Sequence, residues 1–334
     1  MLAVLLCADA VAASPSPPLM TYVTDLNKPA PQVWISEING AAALDLGPGS
    51  SALISPDGTL VAAIDIQTGQ GVKTFTLSLY SSGGGSADTV AQSPQFMQLL
   101  AWSPDSKLML VAVGASPAQL RVIDATTSQS RSVATGVIEG ACFAPDGSDR
   151  VVYARAAVNT TRVNLYTTSS AGAGTRQLTH DGLSEYPLWG PNGIVYSRET
   201  PRPKYPSLQL WSIGASGTGA HQLTNTPVGT GLEGLTPIAF SANGKHLLAN
   251  FVGPEGSNHT EAYAVDLTGA KPAFRDLTGQ GNGNIGDAIS ADGKTILLTK
   301  GTAATAPLAV ETVPWSGGKP TAIVAQGAYA SWDL

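Results

Sequence analysis

Ile54-Ser55-Pro56-Asp57-Gly58, Trp102-Ser103-Pro104-Asp105-Ser106 and Phe143-Ala144-Pro145-Asp146-Gly147 share one construction: a bulky apolar residue, then a tight polar turn. Looser copies stand at Trp189-Gly190-Pro191-Asn192-Gly193, Phe240-Ser241-Ala242-Asn243-Gly244 and Ile289-Ser290-Ala291-Asp292-Gly293. Trp332 supplies the apolar residue a seventh time, with no turn behind it. Successive copies are 41 to 51 residues apart. A period in the forties, built from short strands and turn residues, points to a β-propeller.

Each turn residue has a physical task. Pro presets φ near about −65°, Asp or Asn bonds back to the backbone, and Gly accepts φ > 0. The pattern predicts a type I turn with a bulge, the three-residue hairpin. Ser106 stands where the other copies carry Gly, so its hairpin is expected to be the most strained.

One repeat can be read as a blade. Glu185 to Trp189 is a first strand, Ile194 to Ser197 a second, Leu208 to Ile213 a third, and the segment around His221 to Thr224 a fourth. Other columns recur with it: Arg176-Gln-Leu-Thr179, His221-Gln-Leu-Thr224 and Arg275-Asp-Leu-Thr278 in the fourth strand, Leu120-Arg-Val-Ile123 and Leu208-Gln-Leu-Trp211 in the third. The last residues, Ala328 to Leu334, form a first strand with nothing after it. Met20 to Thr24, Gln32 to Ser36 and Ala43 to Leu46 supply the three strands that it lacks. The expectation is an all-β chain: a single seven-bladed β-propeller of four-stranded antiparallel blades, closed by pairing a C-terminal strand with N-terminal strands. Such closure removes open sheet edges. A six-bladed ring that leaves the N-terminal region out is the alternative.

Composition agrees. Hydrophobic residues make up 43% of the 334 residues, charged residues only 13%, and the Gly and Pro content (37 and 23) suits a chain dense in turns. The net charge is −6, with 18 basic against 24 acidic residues and no Lys/Arg run. A nucleic-acid partner needs a basic stripe, and attraction to an anionic membrane needs a polybasic cluster; neither is present.

Residues 1–13 read as the remnant of a secretory signal peptide: Leu2 to Ala8 is a short apolar core, and Ala10-Val11-Ala12 offers the small residues of a cleavage site. No Lys or Arg precedes that core, which suggests a start placed downstream of the natural one. The apolar run is too short for a transmembrane segment. Cys7 could carry a lipid, but Leu6 before it is large for a lipobox. Residues 14–19 are a Pro/Ser linker, and 20–334 the propeller. Cys142, in a strand core, is expected to behave as a small hydrophobe.

The turns and the x-Leu-Thr strand resemble the TolB-type propeller repeat, in which W-S-P-D-G is followed by a strand and then L-T. The resemblance spans roughly residues 20 to 334, and is closest at Trp102-Ser-Pro-Asp105 and from Arg176 to Gly193. It implies architecture more than activity. The class includes periplasmic scaffold proteins, the propeller caps of prolyl-oligopeptidase-like enzymes, lipoprotein-associated propellers and oligogalacturonate lyase. The extra N-terminal α/β domain of TolB itself is not expected within these residues.

Several features could carry chemistry. No G-x-S-x-G elbow occurs, so serine peptidase activity is not expected. Of the four histidines, His180 and His259 fall in loops of one face, and His221 and His246 toward the other. At most two could converge, short of the three ligands a catalytic metal wants. Asp57, Asp105, Asp146 and Asp292 share their turn position with Asn192 and Asn243, which reads as a hairpin role. The sequons at Asn159 and Asn258 read as ordinary loop residues. The remaining place is the entrance of the first strand, four residues before the apolar column, where Gln98, Glu139 and Glu185 stand. Strand parity would set them on the column's side, as a polar lip at the mouth of the central channel. Tyr186 and Arg202 lie near the same face, Arg202 within the Pro201–Pro206 loop. Paired carboxylates can do acid–base chemistry.

The leading functional expectation is a non-enzymatic, exported, monomeric propeller without cofactor. It would bind a protein or cell-envelope component through its loop face, a small-molecule ligand being possible. The alternative is a carbohydrate-active lyase or lactonase-type enzyme with its site at the channel mouth. An enzyme should show converging ionisable groups with shifted pKa; a binding module should show an exposed apolar patch among polar loops.

Overall fold

The computed structural model describes residues 17–201, 207–225, 233–253, 260–269, 271–278, 283–301 and 308–333. The leader, Cys7, Arg202, His259 and Asn258 lie outside them. Among the described residues every regular element is a β-strand, and no helix is long and apolar enough to cross a membrane.

Strands gather into four-stranded antiparallel meanders. Ser51–Ile54, Leu60–Gly69, Val72–Ser81 and Asp88–Ser93 form one, and Asn284–Ile289, Thr295–Lys300, Ala309–Pro314 and Thr321–Val324 another. The repeat read from the sequence runs as Ser184–Gly190, Gly193–Thr200, Ser207–Ile213 and His221–Gln222. Two connections join meanders into larger sheets. Ser130–Phe143 is the last strand of one unit and the first of the next, its register slipping between Ile138 and Ala141. A two-residue parallel contact links Ser207 and Leu208 to Glu233 and Gly234. Only Gly fits there, because a Cβ on Gly234 would lie 2.1 Å from that of Leu208.

The C-terminal strand Ala328–Trp332 is the edge partner of Leu19–Thr24, followed by Gln32–Glu37 and Leu44–Pro48. Met20 sits opposite Trp332 and Val23 opposite Ala328. Asp333 extends the contact, accepting a hydrogen bond from the Leu19 amide at 2.9 Å.

The apolar column is buried at Ile54, Trp102, Phe143, Trp189, Ile289 and Trp332, while Phe240 keeps partial exposure. It stitches each unit to the one before. The Trp102 indole N–H donates to Leu53 O, and that of Trp332 to Ile289 O, both at 3.0 Å. Phe240 lies on Gly190, where a Cβ would fall 2.5 Å from its ring. The Ile54 amide donates to Ser331 Oγ at 3.0 Å, so the first and last units touch as well. Leu53, Trp102, Ala239, Ile289 and Trp332, each from a different unit, line one cavity of about 200 Å³. Five of the first strands therefore converge on one cavity.

The turn aspartates hold hairpins. Ser55 Oγ donates to Asp57 Oδ1 at 2.6 Å, Ser103 Oγ to Asp105 at 2.7 Å, and Ser290 Oγ to Asp292 at 2.7 Å. Asn243 does the same work, accepting from Ser241 Oγ at 3.0 Å. The loop is one residue longer than the expected three-residue form, because the Ser55 amide donates to Leu60 O across Pro56 to Thr59. A four-residue loop around a type I turn is the next common solution. Ser106 does adopt φ +60, and its Oγ accepts from the Asp57 amide of the preceding unit at 3.1 Å.

Candidate functional site

Two bulges build the site. In Ser130–Phe143 the register break leaves Glu139 and Gly140 unpaired between Ile138 and Ala141. In the next unit Glu185 pairs with Ser197 and Leu188 with Val195, leaving Tyr186 and Pro187 in a bulge where Tyr186 has φ +48. The two bulges touch: a Cβ on Gly140, at φ +99, would lie 3.3 Å from Tyr186 Cα. Glycine is thus required at 140 both for its dihedral and for space. Bulges re-aim side chains, and here they interrupt the alternation on which the parity of the lip residues was argued. Register breaks recur in the first strands at Leu99 to Ala101, Pro237 to Ala239 and Gly286 to Ala288.

The structure brings Glu139, Glu185 and Tyr186 together. The Tyr186 hydroxyl donates to the Glu139 carboxylate. Burial pushes the Glu139 carboxyl upward, and that hydrogen bond works against the rise. Glu185 is pushed up to about 7, first by burial and then by the charges of Glu139 and Glu199. Tyr186 is pushed up to about 12 by burial and by the same two carboxylates, Glu139 and Glu185. No cationic side chain is paired with these carboxylates among the described residues. Arg198, the register partner of Ser184 beside Glu185, is committed elsewhere: its Nε bonds Asp181 Oδ2 at 2.7 Å and its guanidinium lies over Trp211 at 4.3 Å. Gln98 is exposed at the entrance of Met97–Trp102 and makes no hydrogen bond to the cluster.

Sequence reading missed Glu199, Asp287 and Tyr329. Tyr329 had a signal, since it stands three residues before Trp332 as Tyr186 does before Trp189, and it too has positive φ, +53. Asp287 had none, because a bulge in its strand shifts the place from which a side chain reaches inward. Its Oδ2 accepts from Thr299 Oγ1 at 2.6 Å and from the Ala330 amide at 3.3 Å, and burial pushes its carboxyl up to about 7.

Among the described residues no three His, Cys, Asp or Glu side chains are grouped so as to hold a metal ion. His221 Nδ1 meets Gly219 O at 2.9 Å, and His246 stacks on Trp315 with centroids 4.2 Å apart. What the cluster offers is a carboxyl poised near neutrality, a carboxylate and a phenol: a receptor for a cation, or an acid–base pair.

No protein-family model matches the sequence, and no curated protein matches it significantly. Solved structures do match in fold. TolB from Acinetobacter baumannii superposes with a TM-score of 0.55 at 15% identity, over 91% of this chain and 79% of that one. The β-propeller domain of the Trilobed protease from Pyrococcus furiosus gives 0.64 at 14%, over 92% and 94%. An oligogalacturonate lyase in complex with manganese gives 0.57 at 13%, over 92% and 85%. The fold is a TolB-type β-propeller. Likeness at such identity concerns architecture alone.

Proposed function

We propose that the chain is an exported, non-enzymatic propeller that binds a protein or cell-envelope component on its loop face. In this reading residues 20–334 make seven blades, sealed where Ala328–Trp332 pairs with Leu19–Thr24. Export rests on the leader read in residues 1–13.

The observation that carries the reading is where apolar surface is left exposed. Val72, Phe96, Val158, Val252 and Tyr329 are among the seven large apolar side chains exposed in the described residues. Val72 and Val252 flank, and Val158 lies in, connections between second and third strands; Phe96 lies between a fourth and a first strand, and Tyr329 at a first-strand entrance. In this reading antiparallel order sets those places toward one end of the ring, together with Gln98, Glu139, Glu185 and Tyr186. Exposed apolar groups and an acidic cluster without a cationic partner fit a partner that offers an apolar contact and a Lys or Arg.

The test is affinity capture from envelope extract with the unmodified chain, set against a Phe96→Ser, Val72→Ser variant and a Glu139→Gln, Glu185→Gln variant. A partner lost by both variants supports the reading; capture unchanged in both contradicts it. The acid–base alternative is favoured by one feature, the Glu185 carboxyl at about 7 beside Glu139. Turnover of an acidic oligosaccharide or a lactone that vanishes in the Glu139→Gln, Glu185→Gln variant would put the enzyme reading first.

A further inference from the structure

A second polar site lies away from the loop-face cluster. The strand Leu60–Gly69 has two unlike faces. One sends Ala62 and Ile64 into an apolar cluster with Phe75 and Leu77. The other starts apolar, with Val61 and Ala63 packed among Val33 and Leu46, then turns polar at Asp65 and Gln67. Register sets Thr76 opposite Asp65, Gln92 opposite Thr76, and Ser78 opposite Ala63. Asp65, Thr76 and Ser78 are only 8%, 9% and 9% exposed. With Leu46, Pro48 and Tyr80 they line a cleft of about 410 Å³ between this unit and the strand Leu44–Pro48.

Most of the polar groups have partners. Tyr80 OH donates to Pro48 O at 2.9 Å, Gln92 Nε2 to Thr76 Oγ1 at 3.3 Å, and Gln67 Nε2 to Asp65 Oδ2 at 2.9 Å. What is left over is of one kind. Asp65 Oδ1 and Ser78 Oγ have no hydrogen-bond partner among the described residues, and both belong to side chains about nine-tenths buried. No Lys, Arg or His lines the cleft, so no cationic side chain faces the Asp65 carboxyl from its wall.

We propose that this cleft binds a primary ammonium group carried on a short alkyl chain. Its three N–H donors match the acceptors Asp65 Oδ1, Ser78 Oγ and Thr76 Oγ1. Leu46, Pro48 and Ala87, on the cleft wall, give the methylenes an apolar surface. A neutral sugar could use the same oxygens but offers the Asp65 carboxyl no cationic group.

Titration of the full chain with n-butylammonium chloride at pH 7, followed by amide NMR shifts, tests the proposal. Saturable shifts confined to the strands around residues 44–48, 63–67 and 76–92 are expected. Asp65→Asn should weaken binding about tenfold or more while keeping the melting temperature. Ser78→Ala should weaken it several-fold and serves if the first variant fails to fold. Tetramethylammonium, which lacks N–H donors, and glucose run in parallel and should not saturate. A non-saturating response to n-butylammonium, equal binding of either control, or undiminished binding in both variants would overturn the proposal.

Discussion

The indole N–H of Trp332 donates to the backbone carbonyl of Ile289 across 3.0 Å, joining column residues of two neighbouring units. Trp102 repeats the contact with Leu53. The apolar column is therefore more than packing, because the Trp102 and Trp332 indoles each also satisfy a carbonyl at the seam. Trp332→Phe keeps most of the buried area but leaves the Ile289 carbonyl without that donor. It should cost about 1–3 kcal/mol, whereas Trp332→Ala should cost about 3–5 kcal/mol. Urea unfolding with unchanged m-values measures both.

Ser106 separates strain from hydrogen bonding. It holds φ +60 and accepts the Asp57 amide through Oγ. Ser106→Ala keeps the strained dihedral and loses the acceptor, and should destabilise by about 1 kcal/mol or more. Ser106→Gly loses the same acceptor but relieves the strain, so it should fall much closer to the unmodified chain. Thermal melts of the pair decide it: equal losses would show that the backbone at 106 stores no strain.

Asp287 should make stability depend on pH. Its folded carboxyl keeps a proton up to about 7, whereas the unfolded chain releases it near the ordinary value of 3.8. Between these limits the folded form binds more protons, so stability falls as pH rises from about 4 to 7 and stays lower above. The fall attributable to this group is at most about 4 kcal/mol. Asp287→Asn should flatten that segment and be the more stable form at pH 8, as read by denaturant midpoints across pH.

The two lip carboxylates should titrate as neighbours. Burial and the charges of Glu139 and Glu199 hold Glu185 at about 7. Glu139→Gln removes one of those charges and should lower the Glu185 midpoint, which side-chain carboxyl NMR follows directly. An unmoved midpoint would mean that burial and the Glu199 charge set it without Glu139.

Cys142 should be inert in the folded chain. Its Sγ receives the Trp189 amide at 3.0 Å, and burial pushes the thiol up to about 12. At pH 8 the thiolate fraction is then about one in ten thousand. Mass spectrometry of the Cys142 peptide after iodoacetamide should show alkylation only when denaturant is present.

Much of the fold was legible because turn chemistry and the strand columns are local. Pro-Asp-Gly turns and the spacing of Trp102, Phe143 and Trp189 placed strands within a residue or two of Ser184–Gly190 and Ser207–Ile213. Glu139, Glu185 and Tyr186 were legible as a group because they precede column residues in consecutive repeats. Asp287 and Glu199 were not, since bulges in the first strands decouple side-chain direction from sequence spacing, and Glu199 enters from the second strand. Asp65 was hidden for another reason: its strand reads as an ordinary apolar run, and only the register with Thr76 and Gln92 exposes the polar face.

The account depends most on the chain ends meeting in one sheet. Val23 and Ala328 are register partners and both fully buried. A Val23→Cys, Ala328→Cys variant places two thiols within the span a disulfide bridges. Mild oxidation followed by peptide mapping should recover a cross-linked pair of peptides, and closing so long a loop should raise the melting temperature. Recovery of both cysteines as free, alkylated thiols under oxidising conditions that preserve the fold would contradict the closed ring.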